Sequence, residues 1–373
     1  MKIGIIGTRG IPNHYGGFEQ FAEYLAVGLV ELGHQVTVYN SHNHPYQETS
    51  YRGVRIVHCY DPEHRLGTAG QFIYDFNCIR DTHYRHFDII LQLGYTSNSA
   101  WGWLLPRGPI VVTNMDGLEW KRSKFSPRVR QFLKKAESWG VKYSHYLVAD
   151  SVGIQQHLWN TYGKESTYIP YGSHVYDDPQ PAQLAEFDLT PHGYNMLVAR
   201  LEPENSIDTI LEGVVAAGGN RPFLVVGKHQ TPYGEYLKQK YRPHTPIRFV
   251  GGIYDIRKLN NLRYFSNLYF HGHTVGGTNP SLLEAMGSGG LICAHDNIFN
   301  KAILGRDAFY FTRADDITAL LGRVRKDAHL DFVTNNRHKI QTVYHWPIII
   351  RQYLTLFEEA VGVQQGVPAL VRA

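Results

Sequence analysis

The stretch from Asn267 to Ala294 constrains this chain more than any other. An apolar run, Asn267-Leu268-Tyr269-Phe270, reads as the end of a buried strand. It gives way to His271-Gly272-His273-Thr274-Val275-Gly276-Gly277-Thr278-Asn279, a loop of glycines and small polar residues. Pro280-Ser281-Leu282-Leu283-Glu284-Ala285-Met286 then has helical propensity, with Pro and Ser at its start. A second glycine cluster stops that helix, and Leu291-Ile292-Cys293-Ala294 resumes as a strand. Such a loop suits anions. Glycines let the backbone approach a ligand, and the first helical turn offers unpaired N–H groups at a positive dipole end. Thr278, Asn279 and Ser281 add side-chain donors, and Glu284 sits about one turn in, where it can accept from ligand hydroxyls. Phosphate at the loop and hydroxyls at the carboxylate describe a nucleotide-sugar. The alternative is a tight strand-to-helix turn with a surface Glu. His271 and His273 flank the loop and admit a ligand role or a structural one.

The rest of the chain repeats the theme. Lys2–Gly7 reads as a strand, Thr8–Gly17 as a glycine-bearing loop, Phe18–Leu32 as a helix with apolar residues three and four apart, and Gln35–Tyr39 as the next strand. This β-α-β unit opens a doubly wound sheet. The helix start at Gly16-Gly17 has the same anion-binding rationale, but it lacks the three-glycine dinucleotide pattern. Further strands are expected at Val54–Cys59, Asp88–Leu93, Ile110–Asn114 and His145–Ala149, and a second set from Asn195 onward. At 373 residues two domains are expected: 1–172, a linker at 173–192 rich in polar residues and proline, 193–345, and a final segment 346–373 whose helix begins at Trp346. The tail after Gly362 reads as disordered.

Asn114-Met115-Asp116-Gly117-Leu118-Glu119-Trp120-Lys121-Arg122 lies at the C-terminal end of a strand, where open α/β sheets place ligands. Its carboxylates make Asp116 and Glu119 candidate catalytic residues. The alternative is a charged loop capped by Asp116. From Lys121 to Lys142 eight cations accompany a single acid, Glu137, with Phe125, Val129, Phe132, Leu133, Ala136 and Trp139 interleaved. Such a helix can lie on anionic lipid, or turn its apolar face inward and solvate the basic one. A net charge of +4 does not call for nucleic acid. Three scattered cysteines and an opening without signal-peptide character point to a reducing cytosol. No apolar run is long enough to span a bilayer.

The motifs together resemble those of GT-B glycosyltransferases, specifically the retaining family 4 group and its bacterial rhamnosyltransferase-type members of polysaccharide biosynthesis. The likeness rests on Gly7-Thr8-Arg9-Gly10-Ile11-Pro12, Tyr15-Gly16-Gly17-Phe18-Glu19, the Asn114–Arg122 cluster, Ile169-Pro170-Tyr171-Gly172, Ala199-Arg200-Leu201-Glu202-Pro203-Glu204-Asn205 and Gly276 to Ala285. It covers nearly the whole chain. It implies an α/β fold of two Rossmann-like domains facing across a cleft, the last helix crossing back to the N-terminal domain. It implies donor contacts at Gly16, Gly17, Arg200, Gly276, Gly277, Thr278, Asn279, Ser281 and Glu284, with Arg200 on the diphosphate and Glu284 on the ribose. Asp116 falls near a catalytic-site His of the broader family. Two departures stand out. Gly276 occupies the place of a second Glu, and Asn205 that of a Lys; Arg9 or Lys228 are candidate replacements for the lost cation.

The expectation is a cytoplasmic hexosyltransferase, peripheral on the inner membrane face. It moves a sugar, with L-rhamnose from dTDP-rhamnose as a candidate, onto a glycan or polyprenyl-linked glycan. No cofactor and no metal are expected, because no Asp-x-Asp motif is present. The rival expectations are a GT-B sugar-nucleotide epimerase and a catalytically impaired sugar-nucleotide-binding partner protein.

Overall fold

Strands rich in Val, Ile and Leu on both faces can only sit inside a sheet covered on both sides, and they form two such sheets. A computed structural model describes residues 1–122 and 125–364. The first sheet contains β1 (Lys2–Ile6), β2 (Gln35–Ser41), β3 (Ser50–Tyr51), β4 (Val54–Cys59), β5 (Ile89–Leu93), β6 (Ile110–Asn114), β7 (Tyr146–Ala149) and β8 (Thr167–Tyr168). Its spatial order is β3-β4-β2-β1-β5-β6-β7-β8, parallel apart from the antiparallel β3–β4 pair. The second sheet contains β9 (Asn195–Val198), β10 (Phe223–Val226), β11 (Ile247–Gly251), β12 (Leu268–His271), β13 (Ile292–His295) and β14 (Phe309–Phe311). Its order is β11-β10-β9-β12-β13-β14, all parallel. Ile3, Ile5, Ile89, Ile90, Leu91 and Val112 are fully buried in the first sheet, and Met196, Leu224, Phe270 and Ile292 in the second.

Both sheets reverse their strand order once. The reversal falls between β1 and β5 in the first and between β9 and β12 in the second. Loops leaving the carboxyl ends of strands that flank such a reversal diverge to opposite faces and open a crevice. In the second sheet those two loops are the one carrying Arg200 and the one running from Gly272 to Asn279. The most constraining stretch of sequence therefore lies at the topological switch point of its own sheet.

The chain divides into two units. One holds Met1–Trp120, Ser126–Tyr171 and the chain from Trp346; the other holds Lys121–Phe125 and Gly172–His345. The helix Trp346–Gln364 packs in the first unit on the helix Gly17–Glu31. Tyr24 stacks on Trp346 with ring centroids 4.6 Å apart, and Phe21 meets Tyr353 edge-on at 5.2 Å. A Cβ at Gly28 would come within 2.4 Å of Ile350 Cδ1, so the Ile350 side chain would have to move to admit one. That helix continues to Gln364, two residues past the expected order boundary at Gly362; residues 365–373 lie outside the described residues.

The stretch 173–192 is not a free linker. It is bonded to the rest of the second unit at several points. Gln180 N–H donates to Asn261 at 2.8 Å and Asn261 donates back to the Gln180 carbonyl at 2.6 Å. Ser173 N–H donates to Tyr344 and Tyr176 N–H to Gly287. Pro181–Phe187 forms a 3₁₀ turn there. The segment expected as a linker is instead part of the second unit. Among the described residues no helix is long and apolar enough to cross a membrane.

Candidate functional site

In the second unit β12 delivers the loop 272–279 into the helix Pro280–Gly287. Asn279 is its cap: the side-chain oxygen accepts from Ser281 N–H at 3.0 Å, and Pro280 occupies the first helical position. No acidic residue lies in the first turn. The Ser281 hydroxyl is shared with the Tyr269 hydroxyl at 2.8 Å, and Thr278 is buried. Of the side-chain donors expected from sequence, Asn279 and Ser281 are thus partly committed to holding the turn. Gly276 has φ +126, a conformation that L-residues avoid, yet a Cβ there would meet nothing within 4 Å. The loop is built on glycine where the broader resemblance has Glu, with open space beside it.

Arg200 follows β9, the strand adjacent to β12. Its side chain is exposed while its carbonyl is fixed by two donors, Glu202 N–H and Asn205 Nδ2, each at 2.8 Å. Asn205, standing where a cation was expected, is buried and spends its amide on this bend. The two loops are tied together, since Thr274 N–H and Oγ1 both donate to the Glu204 carbonyl, at 3.1 and 2.8 Å. Asn297 and Asn300 clamp the His273 carbonyl from the other side, at 3.0 and 3.2 Å.

His271 and His273 stack face to face, with ring centroids 4.3 Å apart. Burial pushes the His273 imidazole down to about 3, and the nearby Arg200 and Arg122 guanidiniums push the same way. His271 is fully buried and held well below the ordinary imidazole range by burial, then by His273 and Arg263. Burial thus favours the neutral form of both rings. Neither ring nitrogen of His271, nor Nδ1 of His273, has a partner among the described residues. Two cations, Arg200 and Arg122, thus outweigh one acid, Glu202, around the His273 ring, next to a helix start with no acid in its first turn.

Glu284, one turn into this helix, pairs with Arg263: Nη2 donates to Oε2 at 2.7 Å, with side-chain exposures of 1% for Arg263 and 19% for Glu284. Arg263 Nη1 donates to Asn260 at 2.9 Å. Sequence reading missed Arg263 together with its helix, Ile256–Phe265. The available signal was a cation among Leu259, Leu262 and Phe265 on an inward face; a buried guanidinium needs a buried partner.

The first unit handles its glycine loop differently. The helix Gly17–Glu31 starts at Gly16 with no side-chain cap. Glu19, buried in its first turn, accepts from Arg9 N–H at 2.9 Å and from the Thr8 hydroxyl at 3.3 Å. Its Oε2 lies 3.3 Å from where a Cβ on Gly16 would stand. The helix start expected to contact an anion at Gly16 and Gly17 thus already has a carboxylate beside it. Arg9 forks onto Glu63, with Nε to Oε2 at 3.0 Å and Nη2 to Oε1 at 2.8 Å, and its guanidinium lies 3.9 Å from the Tyr15 ring centroid. It is occupied within the first unit, which weakens it as a substitute cation. Lys228, the other candidate, follows β10.

Asp116 has φ +43, a region unusual for a residue with a side chain, and its N–H donates to Asn114 at 3.0 Å. Asn114 donates to the Tyr353 hydroxyl at 3.0 Å. Glu119 N–H donates to the Tyr95 hydroxyl at 3.2 Å. Asp116 and Glu119 are both half-buried. Strain held by surrounding contacts is a feature of functional loops.

The basic helix spans Pro127–Tyr143 and turns Leu133, Ala136, Glu137, Gly140 and Val141 inward. Val129, expected on the apolar face, is 40% exposed. Glu137, the lone acid, is buried. It accepts from Trp120 Nε1 (2.9 Å), His157 Nε2 (2.8 Å) and the hydroxyls of Tyr162 (2.8 Å) and Tyr95 (3.3 Å). Four donors from distant segments explain why a carboxylate sits on a face that periodicity assigns to apolar residues. Ser123 and Lys124 of the basic run lie outside the described residues. Also among the described residues, no three His, Cys, Asp or Glu side chains gather as a metal cluster.

Residues 107–174 match a family model described as "Domain of unknown function (DUF1972)". No curated protein matches the chain. Solved structures match along nearly all of it. Sucrose-phosphate synthase from Thermosynechococcus elongatus is 17% identical with TM-score 0.77, over 97% of this chain and 99% of that one. Anabaena HepE, in complex with UDP-glucose, is 14% identical with TM-score 0.74, over 96% and 99%. WaaG, a glycosyltransferase involved in lipopolysaccharide biosynthesis, is 14% identical with TM-score 0.67, over 98% and 100%. At these identities the likeness speaks for architecture: the chain has the GT-B fold, two Rossmann-like units each built on a parallel sheet.

Proposed function

We propose that the protein is a glycosyltransferase that takes its sugar from a nucleotide donor held in the second unit. One observation carries this reading. At the switch point of the second sheet, Arg200 and Arg122 lie close to the His273 ring, on the loop that leads into an acid-free helix start. Cations and helix amides placed this way stabilise charge on a departing diphosphate. Glu284 accepts from the nucleotide's sugar hydroxyls. In the first unit Asp116 and Glu119 are proposed to serve the transferred sugar and the acceptor. Neighbours of this fold solved with UDP and UDP-glucose support a nucleotide-sugar donor.

The finer reading is a retaining hexosyl transfer, with L-rhamnose from dTDP-rhamnose as donor and a glycan or polyprenyl-linked glycan as acceptor. The bond from the anomeric carbon to the diphosphate oxygen breaks. The acceptor oxygen bonds that carbon on the same face, and the departing phosphate oxygen takes the acceptor's proton. The exposed Lys134, Lys135 and Lys142 suit a peripheral contact with anionic lipid on the cytoplasmic face, with no metal and no cofactor used.

Thermal shift against dTDP, UDP, GDP and ADP, alone and with their sugars, tests the donor. Selective stabilisation by dTDP and dTDP-rhamnose is expected; stabilisation by UDP or GDP species alone keeps the transferase and discards rhamnose. Arg200→Ala is expected to lower transfer about 100-fold, the cost of losing one charge-stabilising group, with the melting temperature unchanged because this side chain is exposed. Glu284 must be tested as Gln, since Glu284→Ala would leave the buried Arg263 unpaired. Donor binding without transfer or hydrolysis in the wild type would instead favour the impaired-partner reading.

A further inference from the structure

The carboxylate proposed to read the nucleotide's sugar is held from behind. Arg263 comes from a helix that carries none of the recognisable motifs, 21 residues before Glu284. Its guanidinium is sealed from solvent, with 1% side-chain exposure against 19% for its partner. A buried cation of this kind needs compensation, and it finds it on two sides: Glu284 Oε2 at 2.7 Å and Asn260 Oδ1 at 2.9 Å. Its Cζ lies 6.0 Å from the Tyr269 ring centroid, and Tyr269 in turn fixes the Ser281 hydroxyl at 2.8 Å. The helix Pro280–Gly287 thus has two of its polar side chains set by residues beneath it, Ser281 by Tyr269 and Glu284 by Arg263.

A pair serving stability alone could be replaced by apolar residues of equal volume at little cost. This pair is lopsided instead, with its cation fully interior and its anion only partly exposed, on the helix that starts at the switch point. We propose that Arg263 is a positioning residue for ligand binding: it fixes one oxygen of the Glu284 carboxylate so that the group meets a nucleotide's sugar hydroxyls in a single orientation. The inference rests on the donor reading above and adds to it a residue outside every motif. Asn260 belongs to the same device, holding the guanidinium's other terminal nitrogen so that Nη2 points at Glu284.

The test is a double-mutant cycle read by calorimetric titration of the full chain with UDP, dTDP, GDP and ADP, using the tightest of the four as probe. Arg263→Met and Glu284→Gln are each expected to weaken binding about 30-fold, as befits a charged hydrogen bond. The double variant is expected to be no weaker than Glu284→Gln alone, because the two residues act as one unit. Arg263→Lys, which keeps the buried charge but not the fork, is expected to recover part of the affinity. Melting temperatures will fall in all variants lacking the pair, so binding to the folded fraction at a permissive temperature is the readout. If Arg263→Met binds as tightly as wild type, or if its loss adds in full to that of Glu284→Gln, the positioning role is overturned and Arg263 is structural. If wild type binds none of the four, the nucleotide-sugar reading itself falls and this inference goes with it.

Discussion

Both sheets send a glycine loop into a helix, and the two helix starts are electrostatically opposite. In the first unit Glu19 stands in the first helical turn and satisfies Thr8 and the Arg9 amide, while Arg9 is forked onto Glu63. In the second unit the cap is the neutral Asn279, the first turn has no acid, and Arg200 and Arg122 lie near enough to act on His273. A helix start already served by its own carboxylate has little left to offer an anion. One flanked by cations, with buried imidazole nitrogens unpartnered among the described residues and open space at Gly276, is arranged for one. Equal glycine content therefore hides unequal purpose. The first helix start behaves as finished scaffold, and the second is completed by what binds it.

The largest effect expected from this contrast is on the scaffold side. Glu137 closes four hydrogen bonds inside the first unit. Glu137→Ala would leave those donors unsatisfied and is expected to cost about 5 kcal/mol, at about 1–3 kcal/mol for each buried donor left without a partner. Urea unfolding would show it, and Glu137→Gln should recover part. If the alanine variant loses less than about 1 kcal/mol, the first unit is not rigidified by this network.

A somewhat smaller effect is expected from protons. Asp75, buried and accepting from the Ser97 hydroxyl, is pushed by burial from 3.8 up to about 7. Between these values the folded chain keeps a proton that the unfolded chain has lost. Stability from this group is therefore full below about 4, falls as pH rises towards 7, and is lost above that. The upper limit is roughly 4 kcal/mol at 1.36 kcal/mol per pH unit. Asp75→Asn should flatten that slope and raise stability at pH 8. Burial holds both imidazoles of the second site below their ordinary range, so neither is expected to share the Asp75 titration.

How much of this could be read from the chain follows from how local each cause is. The strand Ile110–Asn114 agrees with the sequence reading at both ends because a strand buried on both faces is written as an unbroken apolar run. The switch-point loop was legible as strand, glycines and helix. The helices Pro232–Tyr241, Ile256–Phe265 and Ile298–Leu304 were not. The second of these carries Arg257, Lys258, Asn260, Asn261 and Arg263 in ten residues, and its apolar stripe is too thin to stand out. Arg263 and Glu137 are intelligible only through partners 20 or more residues away or on other elements, such as Glu284, Tyr95 and Tyr162. Composition and periodicity carry no record of such pairings. The proline-rich segment 173–192 misled for the same reason, since its docking depends on Asn261 and Gly287.

The smallest change in stability gives the sharpest test of the comparison. Asn279→Asp would make the second helix start electrostatically like the first. Aspartate caps a helix as well as asparagine does, with its oxygen accepting from Ser281 N–H in the same geometry. Stability should thus move by no more than about 0.5 kcal/mol, since the two caps rank together. The new charge, however, would sit at the end where the diphosphate is proposed to bind. Affinity for UDP or dTDP is then expected to fall about tenfold, a like-charge cost of roughly 1.4 kcal/mol, and the loss should shrink as salt is added. Asn279→Ala supplies the complement: about 1 kcal/mol of stability lost with the cap, but a milder loss of affinity because no charge is added. If the aspartate variant binds nucleotide as well as wild type does, the anion is not held at this helix start. The difference between the two glycine-led helix starts would then be one of folding alone.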